Sequence, residues 1–211
     1  MALLSECGAR SRHPMSQPLT IPATCHLDAH PAHPCPVPLR LSVSLAPRLH
    51  AGAPGIGLRY VLAGDCVRVR MPAPVSGPGP ADGLWQHTCF EAFVALEGAA
   101  AYREFNFSPS GQWAAYRFSQ ERVRDLPAEQ QAGPARPAMD ITTLRRRWTL
   151  DVHLPLDALP GDAGDVRCWG LSAVIETTDG HLSHWALHHP APRPDFHHPA
   201  GRTLRLPVHA A

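Results

Sequence analysis

The chain has 211 residues, of which 19 are basic and 18 acidic, so its formal net charge is +1. A nearly neutral chain has no strong attraction for nucleic acid or for an anionic membrane surface, which argues against both as partners. Hydrophobic residues make up 44% of the sequence, enough for the core of one domain, and no apolar run reaches the length of a membrane span.

The N-terminal segment is predicted to precede the folded domain. Residues 1–38 contain seven prolines and little hydrophobic periodicity. We therefore expect residues 1–26 to form a poorly ordered extension and residues 27–208 to form a single domain. The segment lacks the basic start and the apolar core of a signal peptide, so we expect a cytoplasmic protein.

The first half of the domain is predicted to begin with three strands. Residues 39–46 alternate apolar and polar side chains, which is typical of a half-buried strand. Residues 56–63 form a second such run, and residues 66–72 form a third after a Gly64-Asp65 turn. Strands that follow one another so closely indicate an antiparallel meander.

Residues 84–118 contain the clearest alternation in the chain. They predict three strands, with a turn at residues 108–111 between the second and the third. One face of these strands is apolar, and the other combines aromatic and polar side chains, namely Trp85, His87, Glu91, Glu104, Asn106, Trp113 and Arg117. This second face is either a ligand platform or a solvated outer surface.

The second half of the domain continues the pattern of short strands. Residues 119–140 are polar and rich in proline, and we expect one short helical turn there. Further strands are predicted at residues 141–144, 148–154, 169–176, 183–187 and 203–208. About ten strands with few or no long helices predict an all-β fold, an antiparallel β-sandwich of the immunoglobulin-like or jelly-roll type.

Four runs of the sequence resemble a known family. They are LWQHTCFEAFVA, YREFNFSPSGQWAAYRF, WTLDVHLPLDAL and WALHHPAPRPDFHHP. They look like bacterial DOMON-like proteins, whose sandwich is related to the family 9 carbohydrate-binding modules and to the DOMON cytochrome and sugar-binding domains. The resemblance covers about residues 27–208 and implies the same sandwich. Because the superfamily includes both sugar binders and haem binders, the resemblance leaves the ligand open.

A sugar-like small polar ligand is the first hypothesis. Sites for sugars pair flat aromatic rings with hydrogen-bonding side chains. Family 9 modules hold a terminal saccharide between two tryptophans, and the resemblance places Trp85 and Trp185 at those positions. The polar groups and the loop that would close one side of the site complete the predicted ligand-binding set: Trp85, His87, Glu91, Asn106, Arg117, Trp185, His188, Asp195 and His197.

Haem and metal are weaker alternatives, and we expect no cofactor. The family's cytochromes ligate haem iron through Met and His, for which Met71 with His184 or His188 would be the pair here. A divalent metal would draw on the histidines of residues 188–198. Proline-flanked histidines, with Asp195 and His197 anchoring the loop, are the simpler interpretation.

Catalysis is not predicted. The sequence has no GxSxG, HExxH or P-loop motif. Glu91 and Glu104 form a possible carboxylate pair, but no third feature supports a hydrolase. The prediction is therefore a non-catalytic ligand-binding sandwich. The alternative is a structural or protein-interaction module without a small-molecule site, and the sequence identifies no protein partner for it.

Overall fold

The structure, a computed structural model, consists almost entirely of antiparallel strands. It describes residues 23–133, 135–162 and 164–207. These residues form twelve strands: β1 (Ala23–Ala29), β2 (Leu39–His50), β3 (Ala53–Gly64), β4 (Cys89–Leu96), β5 (Tyr102–Phe107), β6 (Trp113–Gln120), β7 (Val123–Arg124), β8 (Ala138–Leu144), β9 (Arg147–Pro155), β10 (Val166–Glu176), β11 (Leu182–Ala186) and β12 (Leu204–Pro207). One α-helix, α1 (Leu126–Ala132), lies between β7 and β8 in the described chain.

The strands form two sheets that share strand β1. Sheet A has the order β1-β2-β3-β9-β8, and sheet B has the order β7-β6-β5-β4-β10-β11-β1, with β12 paired to β10. Residues 23–27 of β1 pair with β2, and residues 28–29 pair with β11. All pairings between these strands are antiparallel. The predicted antiparallel β-sandwich is confirmed.

The core lies between the two sheets and follows the alternation of the strands. Sheet A contributes apolar side chains from β2, β3 and β9, and sheet B contributes them from β4, β5 and β10. Trp169 and Phe107 are completely buried there. The hydroxyl of Tyr60, on β3, donates a hydrogen bond to the backbone oxygen of Glu91, on β4, at 2.7 Å. This hydrogen bond links sheet A to sheet B through the core, at the position of Glu91 on β4.

One predicted strand is wrong. The segment predicted as a strand at residues 66–72 begins with a 3-10 helix, Cys66–Arg68, and Val69 makes a single isolated bridge to Thr177. Val67 is 54% exposed, so the alternation of Val67 and Val69 does not mark a buried face. Pro72 has no N–H to donate to a ladder, which prevents the segment from extending as a central strand.

Element boundaries also differ from prediction at both ends of the chain. Strand β1 begins at Ala23, so residues 23–26 belong to the sheet and not to the predicted extension. Residues 1–22 and residue 208 lie outside the described residues. The helical turn predicted within residues 119–140 is confirmed as α1, whose N-terminal Asp125 accepts a hydrogen bond from the Ala128 amide. Within the described chain, no helix has the length and the hydropathy of a membrane-spanning segment.

The core assignment predicts different costs for two leucine truncations. Leu58 is 1% exposed on β3, between β2 and β9, whereas Leu144 is 61% exposed at the end of β8. Leu58→Ala should reduce the free energy of unfolding by about 3 kcal/mol, because it removes buried methyl groups and leaves a cavity. Leu144→Ala should change it by less than about 0.5 kcal/mol. Urea denaturation of both variants measures this, and equal losses would contradict the assignment.

Candidate functional site

The outer face of sheet B carries buried carboxyl groups at its centre. Strand β4 lies between β5 and β10, with Glu91 opposite Asn106 on one side and opposite Ser172 on the other. Phe93 is likewise opposite Glu104. Because Phe90, Ala92 and Val94 point into the core, Glu91 and Phe93 point away from it. The outer face is therefore polar at its centre but is not exposed to solvent.

A cavity of about 710 Å³ lies over this face. Its floor comes from β4, β5, β6, β10 and β11, and its walls come from residues 82–85, from residues 122–124 and from the loop before β12. The lining residues are Asp82, Gly83, Trp85, Glu91, Phe93, Glu104, Tyr116, Phe118, Arg122, Arg124, Val174, His184, Pro194, Phe196 and His197.

Trp85 forms one wall and is held by local structure. It lies in a 3-10 helix, Leu84–Gln86, which begins after Gly83 in the left-handed conformation (φ 73°), a conformation that favours glycine. Asp82, the preceding residue, accepts a hydrogen bond from the Tyr116 hydroxyl at 2.8 Å. The Arg124 guanidinium lies 4.4 Å from the centre of the Tyr116 ring. These contacts hold Asp82 and Arg124 against β6, next to the segment that carries Trp85, whose side chain is 51% exposed.

Glu91 is the most buried ionisable group of the cavity, at 2% exposure. Its Oε2 atom accepts a hydrogen bond from the Ser172 hydroxyl at 3.4 Å, whereas its buried Oε1 atom has no partner among the described residues. Burial and the charge of Glu104 raise the pKa of Glu91 well above its usual value. Glu91 therefore holds its proton more tightly than an exposed glutamate, and in its protonated form it can both donate and accept a hydrogen bond.

Glu104 links the floor of the cavity to the loop. Its Oε1 atom accepts a hydrogen bond from the Asn106 side-chain amide at 2.9 Å, and its Oε2 atom lies 3.7 Å from Nε2 of His197. Burial raises the pKa of Glu104 to about 7, and burial lowers the pKa of His197 to about 4. The imidazole is thus neutral at pH 7, and its contact with Glu104 is not an ion pair.

The loop at residues 188–198 is fixed by side chains of sheet B. The Tyr102 hydroxyl is 2.7 Å from Nδ1 of His197, and Arg122 donates a 2.7 Å hydrogen bond to Asp195. Asp195 also accepts a hydrogen bond from the backbone amide of His197. Phe196 packs against Phe93, which is buried in the floor. The loop therefore presents Phe196 and His197 to the cavity in a defined position.

The structure brings part of the predicted ligand-binding set together. Trp85, Glu91 and His197 line the cavity, and Asn106 contacts it through its hydrogen bond to Glu104. His87 lies elsewhere, because the chain turns away after the 3-10 helix. Its Nδ1 atom is 2.8 Å from Oε2 of Glu176, at a separate cavity. The prediction that His87 shares the face of Glu91 is therefore wrong.

Trp185 and Arg117 lie on the opposite face of sheet B. Trp185 is opposite Ala173, and both side chains belong to the core. Its indole N–H donates to the Ser183 hydroxyl, and the side chain is 6% exposed. Arg117 is opposite Arg103, whereas Glu104 is opposite Tyr116. Because neighbouring residues of a strand point to opposite faces, Arg117 and Glu104 lie on different faces of the sheet. The structure therefore does not bring Trp185 or Arg117 to the cavity that Trp85 and Glu91 line.

The histidines of residues 188–198 do not form a cluster of metal ligands. His188 is exposed and does not line the cavity, and His189 contacts the backbone oxygen of Asp28 at 2.8 Å. Within residues 23–133, 135–162 and 164–207, no group of three or more His, Cys, Asp or Glu side chains could hold a metal ion. Met71 and His184, one haem pair considered, line different cavities.

Several residues that line the cavity are absent from the predicted ligand-binding set. Glu104 had the right parity on β5 and could have been included. Tyr116 and Phe118 alternate with Trp113 and Arg117, so the sequence predicts them on the apolar face; alternation within one strand does not fix the register across a turn. The turn at residues 108–112 closes with the Ser108 amide bonded to the Gln112 oxygen. This register places Tyr116 opposite Glu104.

Comparison with known proteins relates the fold to carbohydrate-binding structures. No family model and no curated protein matches the chain. A protein from Bacteroides uniformis ATCC 8492, described as a candidate carbohydrate-binding protein, matches with a TM-score of 0.59 and 19% identity over 85% of this chain and 84% of that one. A family 9 carbohydrate-binding module from Caldicellulosiruptor kristjanssonii, in complex with cellotriose, matches with a TM-score of 0.52 and 6% identity over 89% and 84%. These likenesses establish the fold, and the DOMON-like resemblance stays a prediction.

The raised pKa of Glu104 predicts a pH dependence of stability. The unfolded carboxyl has its ordinary pKa of 4.5, so the proton is held more tightly in the folded state. The stability that this proton contributes is present below pH 4.5 and is lost as pH rises through about 7. Glu104→Gln should therefore stabilise the protein by roughly 2 kcal/mol more at pH 8 than at pH 5.

Denaturant unfolding at the two pH values measures this difference. Glu97→Gln is the matched control, because Glu97 lies at the surface in an ion pair with Arg205. The control should change the free energy of unfolding by nearly the same small amount at both pH values. A Glu104→Gln protein with the same pH dependence as the original protein would show that Glu104 is ionised in the fold.

Proposed function

We propose that the chain is a non-catalytic module that binds a small saccharide in the cavity on the outer face of sheet B. The observation that carries the proposal is the buried, unpartnered Oε1 atom of Glu91 in the floor of that cavity. A buried polar atom without a hydrogen bond costs about 1–3 kcal/mol. A ligand hydroxyl that reaches Glu91 would remove this cost.

Other polar groups around Glu91 also match a ligand rich in hydroxyls. The Nδ1 atom of His184, which lines the same cavity, is buried without a partner among the described residues. Burial lowers the pKa of His184 to about 4, so its ring is neutral at pH 7. A neutral imidazole and a protonated carboxyl each offer one donor and one acceptor. Sugar hydroxyls can pair with both.

The aromatic walls match the apolar faces of a sugar ring. Trp85 presents a half-exposed indole on one side, and Phe118 and Phe196 contribute partly buried rings. Flat aromatic groups around a few convergent polar atoms are typical of sites for small polar ligands. A cavity of about 710 Å³ has the volume usual for such sites.

The comparisons support the same ligand class. The Caldicellulosiruptor module, which shares the sandwich, was solved with cellotriose, and the Bacteroides protein is described as a candidate for carbohydrate binding. Family 9 modules use two tryptophans, whereas here Trp85 alone stands at the cavity. We therefore propose that Phe118 and Phe196 take the place of the second indole.

Tryptophan fluorescence tests the proposal, because Trp85 is exposed and the other four tryptophans are buried. A panel of mono- and disaccharides should contain one that protects Trp85 from acrylamide quenching. The same sugar should stabilise the fold by roughly 2.7 kcal/mol at a hundredfold excess over its dissociation constant. Trp85→Ala should weaken its binding at least tenfold, or about 1.4 kcal/mol.

One control variant and one further test variant locate the effect. Leu144→Ala removes an exposed apolar side chain far from the cavity lining and should leave sugar binding unchanged. Glu91→Leu nearly keeps the size of the side chain but removes its donor and its acceptor, so it should weaken binding. If no saccharide protects Trp85 from quenching or raises the midpoint of unfolding, the proposal is wrong. That result would favour a structural or protein-interaction module.

A further inference from the structure

A second cavity of about 710 Å³ opens on the other face of sheet B, at the β5–β6 end. Strands β5 and β6 form one side, and the segment after β9 and the stretch that follows α1 form the others. Its charged lining residues are mostly basic: Arg103, Arg117 and Arg136, with Glu129 and Asp157 as the acidic members.

Arg103 and Arg117 are directly opposite each other across β5 and β6. Directly opposed side chains of an antiparallel pair lie about 5 Å apart at Cβ, where like charges repel. Both side chains are half-buried, and the only hydrogen bond of either guanidinium within the described residues joins Arg103 to the backbone oxygen of Asp157 at 3.3 Å. Neither guanidinium forms an ion pair within the described residues, and the charge of Asp157 offsets the positive charge of Arg103 only in part.

The nearby carboxylates do not neutralise the pair. Glu129 accepts hydrogen bonds from Arg124 with both oxygens, and it also accepts one from the backbone amide of Arg117. Asp157 is exposed and offers only its backbone oxygen to Arg103. Arg136, also exposed, adds a third positive charge. Burial, followed by the charges of Arg117 and Arg167, lowers the pKa of Arg103 to about 10, as expected for a cation short of partners.

Beside the charged groups, the lining includes Gln130 and Tyr116 and several apolar residues. Phe105 and Ala115 lie beside the two arginines on the same face, and Ala158, in the 3-10 helix Leu156–Ala158 after β9, lines the cavity as well. Guanidinium groups bind carboxylates and phosphates through two parallel hydrogen bonds. The combination of paired guanidiniums with an apolar floor suits an anion that carries a carbon skeleton.

We propose that this cavity binds a small organic anion whose phosphate or carboxylate lies between Arg103 and Arg117. Its carbon skeleton lies against Phe105 and Ala115. The site differs from the saccharide cavity in its charged groups, because Arg103 and Arg117 point to the core side of sheet B and Glu91 points to the outer side; among the described residues, Tyr116 is the one that lines both cavities. The adjacent residues Arg103 and Glu104 thus serve different cavities.

Isothermal calorimetry at constant ionic strength tests the proposal with four probes. Inorganic phosphate and glucose 6-phosphate examine a phosphate, glucuronate examines a carboxylate, and glucose is the neutral control. At least one of the three anions should bind and should raise the unfolding midpoint. Arg117→Gln should weaken that binding at least tenfold. Arg117→Lys, which keeps the charge but not the fork of donors, should weaken it less.

Two further proteins decide between the cavities. Arg205→Gln removes an exposed arginine that pairs with Glu97 and should leave anion binding unchanged. Trp85→Ala should also leave it unchanged, since Trp85 lines the other cavity. The proposal is overturned if no anion binds, if Arg205→Gln weakens binding as much as Arg117→Gln, or if Trp85→Ala abolishes binding while Arg117→Gln does not. Failure of the saccharide site alone leaves this result unaffected.

Discussion

Strand β4 is buried on both of its faces, at the centre of sheet B. All residues from Cys89 to Ala95 are buried, although only one face of the strand contacts the core between the sheets. The other face must therefore be covered by something else. Residues 82–86 and the loop at residues 188–198 provide that cover, and they enclose the cavity as they do so.

Buried carboxyl groups under this cover give the outer cavity its chemistry. Glu91 and Glu104 lie in a low-dielectric environment, so both hold a proton more tightly than an exposed glutamate. A protonated carboxyl donates as well as accepts, which suits neutral hydroxyl ligands and not anions. Arg103 and Arg117, on the other face of the sheet, favour anions instead. Because Arg103 and Glu104 are neighbours on β5, one strand contributes to both proposed sites.

Residues 188–198 are rich in the side-chain types that bind metals, but these side chains make hydrogen bonds that hold the loop in place. His197 bonds to Tyr102, Asp195 bonds to Arg122, and His198 accepts a hydrogen bond from the Ala200 amide. Prolines between these residues restrict the backbone, so few hydrogen bonds are enough to hold the loop. The same bonds that anchor the loop place Phe196 and His197 at the cavity.

The sequence by itself determined the fold class, most strands and the composition of the outer face, because alternation records which side chains are buried within one strand. It also identified Trp85, Glu91, Asn106 and His197, which the structure gathers at one cavity. Only the tertiary structure decided which strand faces coincide. The register between β5 and β6 moved Arg117 to the core side and Tyr116 to the cavity, and the pairing of β11 with β10 moved Trp185 into the core. Alternation has a period of two, so it carries no information about which of its two faces meets a given face of the neighbouring strand.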